Sequence, residues 1–164
     1  MNNKTYETSA AAVALLKDNG FTVAVAESCT GGLLSSYLTA VPGVSAVYEL
    51  GVTSYSCRIK NKILGVKEET LDAFGAVSEN TAREMAEGVR QKAGSDIGLS
   101  VTGVAGPNSS EGHAPGLVFI AAADKGGTRV KKLNIDPINR ETVRETAVKA
   151  VLELLIKTVE EVAK

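Results

Sequence analysis

Only two cysteines, Cys29 and Cys57, occur in the 164 residues. They are too few for a disulfide framework and lack the paired Cys or His spacing of a zinc site. A reducing compartment is expected. The one histidine, His113, lies in a polar stretch that reads as a loop, so a Ser-His-Asp triad is disfavoured. The formal net charge of −1 offers no general attraction for phosphate backbones, and nucleic acid is not an expected partner. The segment Met1–Tyr6 leads into an amphipathic stretch without the apolar core of a signal peptide. No run of about 18 apolar residues follows anywhere, so no membrane segment is expected and the reading is a cytoplasmic protein. No Gly-Lys-Ser or Gly-Lys-Thr follows a glycine loop, which argues against a nucleoside triphosphatase. Metal ligands are absent from the pattern as well, so neither metal nor cofactor is expected.

What is present is ordinary for a globular chain: 44% hydrophobic and 23% charged residues, at a length suited to one core. Tyr6, Ala10, Val13 and Leu16 recur at helical spacing up to Asn19-Gly20, a left-handed helix stop. Phe21–Ala26 reads as a buried strand, Glu27–Gly32 as a tight loop and Leu33–Leu38 as a helix. Val47–Tyr55 reads as a second strand, followed by a turn or helical segment over Lys60–Gly65. Ser78 is an N-cap for a helix whose stripe is Ala82, Met85, Ala86, Val89 and Ala93, ending at Gly94. Ile97–Thr102 is a buried strand that delivers a second small-residue loop, Thr102–Pro107, and Asn108–Pro115 reads as a polar, flexible loop. Leu117–Ala123 and Arg129–Ile135 form a hairpin, the latter nearer an edge. A long amphipathic helix runs from about Pro137 to Val162. Strands interleaved with helices predict an α/β fold, a three-layer α/β/α sandwich with a mixed central sheet, forming a single domain over residues 1–164 with no separate N-terminal domain.

Chemistry concentrates where such strands end. Ser28 follows a strand, and Gly31 and Gly32 would let a phosphate or oxyanion approach the backbone. Ser28 is a candidate nucleophile. Equally, Ser28 or Thr30 caps the next helix. With histidine ill placed, Lys60 is a candidate base, since burial or a nearby cation can leave a lysine neutral near pH 7. The alternative is one more solvated lysine beside Lys62, with Tyr55 an amphipathic core residue. Arg140 either forks onto a phosphate and raises the positive potential around Lys60, or lies on the surface, and Arg144 is the weaker candidate. Thr102, Gly103, Ala105 and Gly106 suit a ribose or phosphate as well as a tight turn. Cys29, beside the proposed nucleophile, is either a reactive thiol or packing.

The order of these motifs is more specific than any one of them: Ala26-Glu27-Ser28-Cys29-Thr30-Gly31-Gly32, then Tyr55-Ser56 with Lys60 and Leu64-Gly65-Val66, then Gly75-Ala76-Val77-Ser78, then Val101-Thr102-Gly103-Val104-Ala105-Gly106-Pro107. From about Ala10 to the last helix, the chain resembles the CinA C-terminal domain family, the nicotinamide-nucleotide amidases. The resemblance implies deamidation of nicotinamide mononucleotide to nicotinate mononucleotide and ammonia, in pyridine nucleotide recycling, without metal. It assigns catalysis to Ser28, Lys60, Tyr55 and Arg140. Substrate and oxyanion contacts fall to Thr30, Gly31, Gly32, Thr102, Gly103, Ala105 and Gly106. It also implies a homodimer or higher homo-oligomer whose one partner is a small pyridine mononucleotide. Three places depart from the family pattern: Cys57 where Asn is usual after Tyr-Ser, Ile138-Asn139 where Gly-Asp usually precedes Arg140, and Asn108–Gly116 in place of a more glycine-rich loop that often carries a lysine. The competing expectation is a catalytically silent nucleotide-binding or partner-binding relative of the same fold.

Overall fold

The structure, a computed structural model, describes residues 2–164. Helix α1 (Asn3–Asn19) is capped by Asn2, whose side chain accepts from the Lys4 amide, and it ends at Gly20 with φ of 66°. Strand β1 (Val23–Glu27) and helix α2 (Leu33–Thr39) flank the first glycine turn, and β2 (Tyr48–Thr53) is shorter than its sequence pattern suggests. Helix α3 (Cys57–Leu64) makes the Lys60 segment helical throughout, and α4 (Glu68–Phe74) is a helix the sequence reading lacks. Helix α5 (Glu79–Ala93) has the expected Ser78 cap, with Oγ accepting from the Thr81 amide at 3.1 Å. Strands β3 (Ile97–Gly103), β4 (Leu117–Asp124) and β5 (Gly127–Asn134) follow. Helix α6 (Arg140–Val162) starts at Arg140 rather than Pro137, because the Asn139 side chain caps it through the Thr142 amide at 2.8 Å.

The sheet runs β2-β1-β3-β4-β5. Strand β1 is parallel to β2 and β3, while the β3–β4 and β4–β5 pairs are antiparallel. It is the mixed sheet of a three-layer α/β sandwich. Alternation of side chains across each strand divides the core into two. Val23, Val25, Leu99, Val101, Val118 and Ile120 face α1, α2 and α6. On the other face, Ala24, Ala26, Ala121 and Ala123 pack with α5. Large residues fill one side and small ones the other, so α5 lies close enough for Ser100 Oγ to donate to the Ala82 carbonyl at 2.6 Å.

Since β1, β2 and β3 are parallel, their carboxyl ends share one edge of the sheet, where the loops that follow them gather. Helix α3 starts at that edge and rests on α5 at Gly88, where an added Cβ would overlap the Leu64 carbonyl oxygen. That contact seats the C-terminal end of the helix bearing Lys60. No described helix is long and apolar enough to cross a membrane. Gly88→Val is expected to cost about 1–3 kcal/mol through overpacking, read as a lower urea midpoint at unchanged slope. An unchanged midpoint would mean that α3 is not seated there.

Candidate active site

Ser28 is the first residue past β1, with its amide donating to the Val101 carbonyl at 3.0 Å. The chain then turns through Gly31 (φ 59°) and Gly32 (φ 96°), a left-handed pair that residues with a Cβ adopt only with strain. The helix that follows is capped by neither Ser28 nor Thr30. The Glu27 carboxylate accepts from the amides of Gly32 (3.1 Å), Leu34 (3.0 Å) and Ser35 (2.9 Å) and from Ser35 Oγ (2.7 Å). A buried carboxylate thus satisfies the free N–H groups at the start of α2, where the helix dipole also favours negative charge. Ser28 Oγ is released from that duty.

Lys60 sits one turn into α3, which Ser56 caps through the Ile59 amide at 3.3 Å. Its side chain is 0% exposed. Nζ lies 3.0 Å from Ser28 Oγ, 2.7 Å from the Ser54 carbonyl and 3.2 Å from the Tyr55 carbonyl. Burial pushes its pKa below the ordinary 10.5, opposed to a lesser degree by Cys57, Cys29 and Glu111. None of the salt bridges among the described residues involves it. A neutral amine has two N–H donors and one lone pair. As an ammonium Lys60 would donate to all three oxygens; as a neutral amine it would keep its donors on the two carbonyls and turn its lone pair to the Ser28 hydroxyl. The alternative reading of Lys60 as a solvated surface lysine does not hold. Cys29 is buried beside Ser28 at the cavity, and that burial pushes its thiol up to about 11, which disfavours the thiolate.

Above this pair opens a cavity of about 210 Å³. Ser28, Tyr55, Thr102, Gly103, Ala105, Gly106 and Arg140 line it, together with Cys57, Val77 and Glu111 among others. Arg140, the first residue of α6, donates to the Gly106 carbonyl at 2.6 Å and to Tyr55 Oη at 3.3 Å, joining three loops at the mouth. Tyr55 is 64% exposed, so it belongs to that mouth and not to the core. Thr102 Oγ1 donates to the Ala76 carbonyl at 2.8 Å. Thr30, Gly31 and Gly32 do not line the cavity. Gly31 N is bound to the Ser28 carbonyl and Gly32 N to Glu27, while the Thr30 carbonyl accepts from Arg144 at 2.6 Å. These residues brace the turn from behind. Among the described residues no cluster of His, Cys, Asp or Glu could hold a metal ion.

Sequence reasoning missed Glu27 and Glu111. An acidic residue just ahead of a glycine turn and a helix start was the available signal for Glu27. Glu111 gave no local one, since its carboxylate is matched to amides distant in sequence, at Ala76 and Val77.

The description "CinA C-terminal domain" matches residues 5–159. The competence-damage inducible protein of Acetivibrio thermocellus is 52% identical over 138 residues, covering 84% of this chain and 33% of the relative. The chain therefore spans about one third of the length of that curated relative. Among solved structures, the competence/damage inducible protein CihA from Agrobacterium tumefaciens is 35% identical with a TM-score of 0.92, covering 96% of each chain. A CinA superfamily protein from Klebsiella pneumoniae is 32% identical with a TM-score of 0.93, covering 98% of this chain and 99% of that one. With the family matched over nearly the whole sequence and the same fold found in its solved members, the chain belongs to the CinA C-terminal domain family.

Proposed function

We propose that the chain is an amidase that hydrolyses the carboxamide of nicotinamide mononucleotide to nicotinate mononucleotide and ammonia, in pyridine nucleotide recycling. The observation that carries this reading is a fully buried lysine amine 3.0 Å from a serine hydroxyl at the floor of a cavity. Ser28 Oγ attacks the carboxamide carbon while Lys60 Nζ takes its proton. The C–N bond then breaks as Lys60 returns that proton to the departing nitrogen, and ammonia leaves an acyl-serine. Lys60 next removes a proton from water, whose oxygen attacks the acyl carbon, and Ser28 regains its hydrogen as the ester opens. Arg140 and Tyr55 at the mouth, with the backbone of Thr102–Gly106, surround the rest of the substrate. A cytoplasmic location and assembly as a homodimer or higher homo-oligomer belong to the same proposal.

The silent-relative reading draws on the departures from the family pattern. One of them leaves the site intact: Ile138 is 74% exposed, and Asn139 caps α6 so that Arg140 still reaches Gly106 and Tyr55. Cys57 does line the cavity. Saturable binding of the nucleotide by the wild-type protein without ammonia release would decide for that reading.

Ammonia release from nicotinamide mononucleotide is expected for the wild type, with none from Ser28→Ala and a kcat lower by about 10²–10⁴ in Lys60→Ala. Unchanged turnover in both variants rejects the dyad. As pH falls through the depressed Lys60 pKa, the amine gains a proton and loses its lone pair, so kcat/KM falls on that acidic limb. Folding stability gives an independent reading. Between the depressed value and 10.5 the unfolded chain binds the extra proton, so the Lys60 contribution is complete above 10.5 and is lost as pH falls through the folded pKa. Urea midpoints of wild type and Lys60→Met are expected to diverge with that pH dependence, and parallel curves would contradict a depressed pKa.

A further inference from the structure

Glu111 is the one described residue other than glycine with a positive φ, 52°. With Gly112 (φ 77°) it forms the centre of a two-residue turn, closed by Ser110 N to His113 O at 3.1 Å and His113 N to Ser110 O at 2.9 Å. Positive φ at both centres is the requirement that Asn, Asp and Gly ordinarily fill, so a glutamate is strained there. The strain points to its side chain. The carboxylate accepts from Ala76 N at 2.9 Å and Val77 N at 3.2 Å, across from its own segment. Gly75 makes the room, since a Cβ there would lie 2.6 Å from Glu111 Oε2. Thr102 Oγ1 grips the Ala76 carbonyl in turn, which ties the latch to the end of β3. What reads as a flexible loop is thus a tethered wall.

Asn108, Ser110 and Glu111 of that wall are exposed and line the cavity above Ser28. Residues 107–116 include no lysine or arginine, and the cation of the cavity, Arg140, comes from α6. An amide and a hydroxyl without a cation form a donor and acceptor set matched to neutral hydroxyl groups rather than to a phosphate. We propose that Asn108 and Ser110 hydrogen-bond the ribose hydroxyls of the substrate, and that Glu111, seated on the Ala76 and Val77 amides, is the positioning residue that holds them in place. The proposal rests on the amidase reading and adds a sugar subsite to it.

The test compares nicotinamide mononucleotide with its 2′,3′-dideoxyribose analogue, which keeps the carboxamide and phosphate and lacks both hydroxyls. The double variant Asn108→Ala/Ser110→Ala is expected to lower kcat/KM for the full nucleotide about tenfold, the worth of two neutral hydrogen bonds, through KM at unchanged kcat. The dideoxy analogue should be unaffected. Glu111→Ala should raise KM for the full nucleotide in the same way, and Glu111→Gln, whose carbonyl oxygen still accepts, should recover most of it. Equal losses on both substrates, an unchanged KM, or a fall in kcat alone overturns the sugar subsite. Failure of the amidase reading looks different, as no ammonia from either substrate with wild-type protein. In that event the same contrast is read as Kd by calorimetry on Ser28→Ala and on Ser28→Ala carrying the wall substitutions. A preference for the full nucleotide that the substitutions abolish supports the subsite, and equal Kd values for the two ligands overturn it.

Discussion

A lysine amine that is shut away from water and held against one serine hydroxyl is the constraint around which the rest of the site is arranged. Moving a charged ammonium out of water costs several kcal/mol even after relaxation, and among the described residues no carboxylate bridges Lys60 to offset it. A neutral form would avoid that cost, with its two N–H groups on the Ser54 and Tyr55 carbonyls. The two carbonyls also orient the nitrogen. In the proposed mechanism the amine is neutral, and with both its donors on the carbonyls its lone pair would face Ser28 Oγ, 3.0 Å away.

The fold supplies that geometry by bringing three loops to one edge. Strand β1 lies between β2 and β3 and parallel to both, so Ser28, the Ser54–Tyr55 carbonyls and the Thr102–Gly106 backbone emerge side by side. The loops are then locked by groups outside the Ser28–Lys60 pair. Glu27 spends its carboxylate on the start of α2, Arg144 holds Thr30 from behind, and Arg140 links Gly106 to Tyr55. The small-residue face of the sheet lets α5 approach closely, and α5 in turn receives α3 at Gly88. Lys60 on a helix is thereby positioned against Ser28 on a loop by packing rather than by a covalent or metallic tie.

Much of this was legible in the residues themselves. The apolar run Val23–Ala26, the Ser78 cap with its stripe to Val89, and the helical repeat from Val143 to Val159 are local signals, and local physics makes these elements. Helix α4 was not legible because its seven residues offer only Leu71 and Phe74 at helical spacing, too short a stripe to read. The site was half legible. Ser28 announces itself by the glycine turn after it, and the motif order placed Lys60 and Arg140. That Lys60 is buried, that Tyr55 is not, and that Glu111 anchors a wall are facts of tertiary packing, set by residues far away in the chain. Arg144 shows the same limit, since a surface arginine and one that braces the Thr30 carbonyl have the same local sequence.

The most direct measurement is an NMR titration of the Lys60 side chain, following 13Cε and 15Nζ in selectively labelled protein from pH 5 to 12. Assignment rests on the loss of one signal in Lys60→Met. A buried base gives a Lys60 midpoint displaced below 10.5 and apart from the other lysines. A midpoint among the surface lysines would contradict the account, because an amine that stays protonated has no lone pair with which to activate Ser28.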